Sequence, residues 1–233
     1  MFRISFLAVA LSLIFSCTGL QKKFEFPRGS FIHLKQFVTI KKCGKSNPFD
    51  CKDFTRGISG SGSIVKVIRN GSYVLTAAHV CESERLAKIA KTGKLMGTEF
   101  HAIDINGKAY PLITLSANTS ADLCLLFAEG LLGSAALKLA SAAPRPGEKV
   151  YNMAAPQGIF TVNMFPLFEG YYAGHDRSFD LYTIPATQGS SGSPILNSDG
   201  HLIGVVTMSF TGFQSMSLSP PFNRIKAFLS SYL

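Results

Sequence analysis

From residue 57 to the C-terminus, the chain consists of short apolar runs separated by glycine, asparagine, aspartate and proline. Residues 62–68 and 73–77 are two such runs, and Asn70-Gly71 between them predicts a tight hairpin because both residues tolerate a positive φ. Further candidate strands are residues 99–104, 108–116, 122–127, 149–154, 162–171, 180–185, 194–197 and 201–209. Eight or more short strands with turns between them are typical of an all-β barrel or sandwich. A hydrophobic fraction of 46% and a charged fraction of 16% exclude a generally disordered chain.

Helical periodicity is confined to two segments. Residues 82–91 predict a short helix, and residues 223–232 predict a second one with Asn223 as its N-cap. The apolar face of the second helix consists of Ile225, Phe228, Leu229 and Tyr232.

The N-terminus has the anatomy of a secretory signal. One early cation precedes an apolar run over residues 6–15. This run is too short to span a bilayer, which takes ~20 apolar residues. We therefore expect a signal peptide over residues 1–19 and an exported protein. Cleavage after Gly19 gives a periplasmic or secreted protein. Residues 14–17 also resemble a bacterial lipoprotein box, which would attach a lipid to Cys17 and anchor the protein to a membrane.

Export makes the remaining cysteines, Cys43, Cys51, Cys81 and Cys124, disulfide candidates, with three pairings open. Cys43 and Cys51 can close the loop between them, or one of them can pair with Cys81. Cys124 lies in an apolar run, where a buried free thiol is the alternative. No Cys-x-x-Cys occurs and only Cys81 lies near a histidine, so we expect no metal site and no cofactor.

The net charge of +9 is concentrated near the N-terminus. Residues 1–60 hold ten Lys and Arg against three Asp and Glu, whereas residues 61–233 hold thirteen against eleven. No nucleic-acid-binding motif accompanies the basic residues, so we expect no nucleic-acid partner. Residues 20–56 are expected to form a basic arm with one strand, residues 37–40. This arm could serve as a pro-region, a strap across the fold, a membrane-facing arm or a solvated surface, and the sequence does not choose among these roles.

Three motifs follow one another in the order His, Asp, Ser. His79 lies in the segment 75–81, Asp122 begins an apolar run, and Ser191 lies in a loop of small residues, 187–194. A serine hydroxyl needs a base to become a nucleophile, and an imidazole with a pKa near neutrality can take its proton. A buried carboxylate on the other ring nitrogen fixes the tautomer and stabilises the imidazolium. We therefore predict Ser191 as nucleophile, His79 as general base and Asp122 as the orienting carboxylate.

The small residues around Ser191 also suit an oxyanion hole. The backbone amides of Gly189 and Ser191 must converge on one developing negative charge, which requires a tight turn. A flexible linker does not fit, because the loop continues into apolar strands on both sides of an Asp199-Gly200 turn. An α/β-hydrolase does not fit either, because its serine precedes the acid and the histidine.

The motifs Thr76-Ala77-Ala78-His79, Asp122-Leu-x-Leu-Leu and Gly189-x-Ser191-Gly192-Ser193-Pro194 resemble those of trypsin-like, chymotrypsin-fold serine peptidases. Gly62-Ser63 and residues 147–158 resemble most the bacterial HtrA and glutamyl-endopeptidase branch. Only 42 residues follow Ser191, so the expectation is a peptidase without a PDZ domain.

The resemblance implies an all-β fold of two six-stranded antiparallel β-barrels and a short C-terminal helix. The peptidase domain would span residues 57–233, with barrels at about 57–140 and 141–222 and the helix at 223–232. His79 and Asp122 would come from the first barrel and Ser191 from the second. A monomer is expected, with a polypeptide substrate that pairs with the strand 205–209.

The substrate pocket departs from the best-known members of that family. Pro185 stands where trypsins have an aspartate, and Val206 stands where glutamyl endopeptidases have a histidine. Ser209 replaces a glycine at the pocket entrance, and Thr207 replaces a serine whose hydroxyl supports the catalytic aspartate. We therefore expect a serine endopeptidase that prefers small or medium uncharged residues before the scissile bond. The alternative is a catalytically inactive homologue that binds peptides or proteins.

Overall fold

The computed structural model describes residues 24–44, 50–81, 94–132, 135–210 and 212–233. The predicted signal peptide with Cys17 and the predicted helix 82–91 lie outside the described residues. Within them, no helix is both long and apolar enough to cross a bilayer.

The first unit is a closed six-stranded antiparallel barrel, called the first barrel below. Its strands are β1 Phe31–Cys43, β2 Cys51–Ile68, β3 Gly71–Thr76, β4 Lys94–Ile103, β5 Ala109–Asn118 and β6 Leu123–Glu129. Around the barrel the order is β1-β2-β3-β6-β5-β4. The predicted hairpin at Asn70-Gly71 is confirmed, because β2 and β3 pair as far as Ile68 opposite Gly71.

Strand β6 is buried on both faces, which explains its unbroken apolar sequence. Cys124 and Leu126 pack inside the first barrel. Leu123 and Leu125 point the other way, into a core shared with residues of the second unit such as Met153. Burial on both sides holds the start of β6, directly after Asp122, at the junction of the two units.

The second unit is a curled seven-stranded sheet, called the second sheet below. Its strands are β7 Lys149–Met153, β8 Leu167–His175, β9 Asp180–Tyr182, β10 Pro194–Leu196, β11 Leu202–Val205, β12 Met208–Phe210 and β13 Phe213–Ser219. The order across the sheet is β11-β10-β7-β8-β9-β13-β12. Six strands were expected here. The run 201–209 forms two strands because the Val206 N–H bonds to Ser193 and the Thr207 N–H bonds to Leu218, which changes the partner strand.

Among the described residues there are two short α-helices, α1 Ala78–Cys81 and α2 Phe222–Leu229. The predicted C-terminal helix is confirmed, with Ile225 and Leu229 buried. The predicted Asn223 cap is wrong, since Pro221 occupies the N-cap position. The Phe222 N–H instead donates to the Asp180 carboxylate at 3.0 Å, so a side chain of β9 satisfies the helix start. The Tyr172 hydroxyl also donates to the Asp180 carboxylate. Burial, and then the negative charge of Asp180, raise the pKa of Tyr172 to about 12.

Much of the expected basic arm belongs to the first barrel. Strand β1 pairs with β2 without interruption from Phe31 opposite Ser63 to Cys43 opposite Cys51, and it also pairs with β4. The barrel therefore begins at residue 31 rather than at the expected residue 57. The all-β architecture of a closed barrel, a curled second sheet and a C-terminal helix is the chymotrypsin-like fold that the resemblance implied.

Candidate active site

His79 and Asp122 form a closely fitted pair on the first barrel. His79 lies on α1, directly after β3, and Asp122 lies in the turn before β6. The His79 Nδ1 and Asp122 Oδ2 atoms are 2.8 Å apart, and the His79 backbone N–H donates to Asp122 Oδ1 at 2.9 Å. With Nδ1 donating to the carboxylate, Nε2 is left as the proton-accepting nitrogen. The aspartate has φ 50°, a left-handed conformation that short polar residues tolerate.

A disulfide bond joins the elements that carry this pair. Cys81 lies two residues after His79, Cys124 lies two residues after Asp122, and the two cysteines are bonded to each other. Cys43 and Cys51 form the second disulfide, at the end of the β1–β2 hairpin.

Ser191 lies in a tight loop between β9 and β10, called the serine loop below (residues 187–193). The loop has backbone hydrogen bonds of its own, from the Ser190 N–H to the Thr187 oxygen and from the Ser193 N–H to the Ser190 oxygen. Within the described part of the chain, the N–H groups of Gly189 and Ser191 donate to no acceptor. The serine loop thus has two amide donors without an acceptor, one of them on Ser191 itself.

The fold brings the serine loop to the His79–Asp122 pair. A Cβ built at Gly60 would lie 2.7 Å from Val80, the residue after His79, and 3.6 Å from the Ser191 oxygen. A side chain at residue 60 would therefore have to displace Val80. Among the described residues, no hydrogen bond joins His79 to Ser191, a bond that is often long before substrate binds.

Two neighbouring clefts flank these residues. One, of about 190 Å³, is lined by Ala186, Thr187, Gln188, Ser191, Val206, Thr207, Met208 and Ser209. The other, of about 460 Å³, borders His79 and Asp122 and shares Thr207 and Met208 with the first. The two clefts therefore meet at Thr207 and Met208, where strand β12 begins. Strand β12 is an edge strand of the second sheet, and its three residues are exposed.

Three of the four predicted pocket residues, Val206, Thr207 and Ser209, line the smaller cleft. Pro185 does not. It is exposed and borders a separate hollow of about 60 Å³ with Thr187 and Gln214. Sequence reasoning missed Ala186 and Met208, although each directly adjoins a residue that was singled out. The Thr207 hydroxyl lies 3.4 Å from the Leu218 oxygen, and among described residues it makes no hydrogen bond to Asp122.

The described residues include no group of three or more His, Cys, Asp or Glu side chains that could hold a metal ion. The smaller cleft is lined by uncharged residues alone.

Comparison with known families agrees with this arrangement. A model of the trypsin-like peptidase domain matches residues 60–205, more than half of the 233-residue chain. The matched range runs from β2 to the end of β11 and includes His79, Asp122 and Ser191. No curated protein matches the chain. The chain belongs to the family of trypsin-like peptidase domains.

Proposed function

We propose that the protein is a serine endopeptidase with His79, Asp122 and Ser191 as its catalytic residues. The observation that carries this proposal is the grip of both Asp122 oxygens on His79, one on the ring and one on the backbone. A carboxylate in that position selects the tautomer whose Nε2 accepts a proton. The cleft that His79 borders shares Thr207 and Met208 with the cleft that Ser191 lines.

In the proposed reaction, Ser191 Oγ attacks the carbonyl carbon of the scissile bond while His79 Nε2 takes its proton. Asp122 stabilises the resulting imidazolium. The free N–H groups of Gly189 and Ser191 stabilise the negative oxygen of the tetrahedral intermediate, in which one such donor contributes about 2.7 to 4 kcal/mol. The imidazolium then protonates the leaving amine. A water molecule, deprotonated by the same imidazole, releases the acyl group from Ser191.

The substrate would bind as an added strand along β12. This edge strand has free backbone groups on one side, which supply affinity for any extended peptide. The small cleft then selects the residue before the scissile bond. Its volume of about 190 Å³ and its uncharged lining support small or medium uncharged side chains. Val206 is almost fully buried in the pocket wall and offers a carboxylate substrate no partner.

We further propose an exported peptidase of the HtrA and glutamyl-endopeptidase branch that works as a monomer. The two disulfide bonds are compatible with an oxidising compartment. Intact-mass analysis of the protein purified from membrane and soluble fractions distinguishes cleavage after Gly19 from lipid attachment at Cys17.

A fluorophosphonate probe tests the catalytic proposal directly, because it reacts only with an activated serine. We expect stoichiometric labelling of the full chain, complete loss in Ser191→Ala and unchanged labelling in Ser198→Ala, an exposed serine in a distant turn. No labelling of the wild-type chain, combined with retained peptide binding, would support the inactive binding homologue instead. A peptide-library cleavage profile dominated by Arg, Lys or Glu before the cut would contradict the proposed selectivity.

A further inference from the structure

Ser61, on β2 of the first barrel, reaches across to the serine loop of the second sheet. The side chain is fully buried. Its hydroxyl donates to the Gly189 carbonyl oxygen at 2.8 Å and accepts a hydrogen bond from the Ala155 N–H at 3.0 Å. Its backbone N–H donates to the Ser191 carbonyl oxygen at 2.8 Å. One residue thus holds two peptide groups of the loop.

All four carbonyl oxygens of residues 188–191 are fixed by hydrogen bonds. The donors, in chain order, are the Gln157 N–H at 2.6 Å, the Ser61 hydroxyl at 2.8 Å, the Ser193 N–H at 3.0 Å and the Ser61 N–H at 2.8 Å. The C=O and N–H of a trans peptide point in opposite directions. Fixing the oxygens of residues 188 and 190 therefore aims the N–H groups of Gly189 and Ser191 away from them, and these are the two free donors of the loop.

The loop needs such external restraints because of its own composition. Gly189 and Gly192 have φ values of +94° and +84°, and glycine backbones rotate at little cost. A residue with a side chain could not replace Gly192, because its Cβ would overlap with Thr76 Oγ1 and the Ser61 oxygen. The close packing that demands glycine also requires a partner to hold each peptide in one orientation.

Ser61 also connects the loop to the strand that leads to His79. Its carbonyl oxygen accepts a hydrogen bond at 2.8 Å from the hydroxyl of Thr76, three residues before the histidine. The nucleophile and the base come from different units of the fold, and Ser61 bonds to the segments that carry both.

We propose that Ser61 is a positioning residue whose hydroxyl fixes the peptide between the two oxyanion-binding amides, and so keeps both amides in place before substrate arrives. This inference rests on the proposed peptidase function. Without the hydroxyl, the Gly189 carbonyl loses its donor and the Ala155 N–H loses its acceptor. The peptide after Gly189 is then free to rotate and to displace the neighbouring amides from the position of the developing charge.

The chain offers a matched control two residues along the same strand. Ser63 is as buried as Ser61, at 1% exposure, and lies on the same face of β2, yet its hydroxyl makes no hydrogen bond in the described part of the chain. Both variants, Ser61→Ala and Ser63→Ala, remove one buried hydroxyl from one strand. Only the first removes a contact with the serine loop.

Steady-state kinetics on a neutral peptide substrate should separate the two variants. We expect Ser61→Ala to lower kcat by about 10- to 100-fold with KM changed less than about twofold, because small displacements of transition-state donors have effects of this size. Ser63→Ala should stay within about twofold of wild type in both. Ser61→Thr, which keeps a hydroxyl, should recover much of the lost kcat.

A second measurement separates positioning from a general loss of structure. A peptidyl trifluoromethyl ketone forms a tetrahedral adduct with the serine and places its oxyanion between the two amides, whereas an uncleavable reduced peptide does not. Ser61→Ala should lower the affinity of the enzyme for the ketone in proportion to its loss of kcat/KM. The affinity for the reduced peptide should stay unchanged.

Wild-type kcat and ketone affinity in Ser61→Ala would overturn the inference, as would equal losses in Ser63→Ala. In both cases, fluorophosphonate labelling of wild-type Ser191 would still stand as evidence for the peptidase. Absence of that labelling would instead contradict the proposed function itself.

Discussion

Acidification should destabilise this protein through His33. The residue lies on β1, opposite Ser61, and is 1% exposed. Its Nε2 lies 2.8 Å from the Ser59 hydroxyl, whereas Nδ1 is buried and has no partner among the described residues. Burial, and then the positive charge of Lys35, lower the pKa of His33 from 6.5 to about 4. A proton on this ring would have to be accommodated inside the core.

The sign follows from where the proton binds. Below about pH 6.5 this histidine is protonated in the unfolded chain, whereas in the folded chain it stays neutral down to about pH 4. The free energy of unfolding therefore decreases as the pH is lowered through that window. At about 1.36 kcal/mol per pKa unit, the whole shift corresponds to roughly 3 kcal/mol, of which about 2.5 kcal/mol falls between about pH 7 and pH 4.5.

Urea unfolding of the wild type and of His33→Gln over this pH range measures the effect. Glutamine cannot take the proton, and the other histidines contribute equally to both chains. The unfolding free energy of the wild type, relative to the variant, should drop by about 2.5 kcal/mol on going from about pH 7 to pH 4.5. A difference that stays constant with pH would refute the argument that His33 is held neutral by burial.

Three further changes test the site and its supports. Asp122→Asn should lower kcat by about 10⁴-fold at neutral pH with the fold intact, because an amide favours the wrong tautomer of His79; steady-state kinetics and circular dichroism check this. Replacing Cys81 and Cys124 with alanine should lower the unfolding free energy by up to about 4 kcal/mol, and replacing Cys43 and Cys51 by about 2.6 kcal/mol, because the first bond closes a longer loop. Urea unfolding measures both losses, and kinetics should show that only the loss of the Cys81–Cys124 bond also reduces activity. Gly192→Ala should abolish fluorophosphonate labelling, since its Cβ would overlap with Thr76 and Ser61, whereas Gly200→Ala, at a positive φ with open space around it, should keep labelling despite a modest loss of stability.

Local patterns predicted most of the strands but missed the extent of the first. Only residues 37–40 of β1 were expected as a strand, because Lys35, Lys41 and Lys42 interrupt its apolar pattern. The strand forms along its length because β2 on one side and β4 on the other satisfy its backbone groups. Pairing on both sides outweighs a weak local signal, and the partners lie far away in sequence.

In the C-terminal helix too, local sequence predicted the element, and a residue far away in the chain decided how it begins. Its apolar spacing predicted the helix and its buried face, whereas its first N–H group is satisfied by Asp180, 42 residues earlier. A search for a local cap therefore selected Asn223. Of the pocket residues that the resemblance to trypsin-like peptidases implied, Val206, Thr207 and Ser209 line the smaller cleft, whereas Pro185 borders a separate hollow.

The sequence by itself determined the all-β class, the hairpin at Asn70-Gly71 and the three motifs that carry His79, Asp122 and Ser191. These features are local: turn residues, apolar alternation and short motifs act on neighbouring residues and need no distant partner. Only the tertiary structure decided the cysteine pairing, the cap of the last helix and the hold of Ser61 on the serine loop. Each of these joins groups far apart in the chain, and such contacts exist only after the first barrel and the second sheet have packed together.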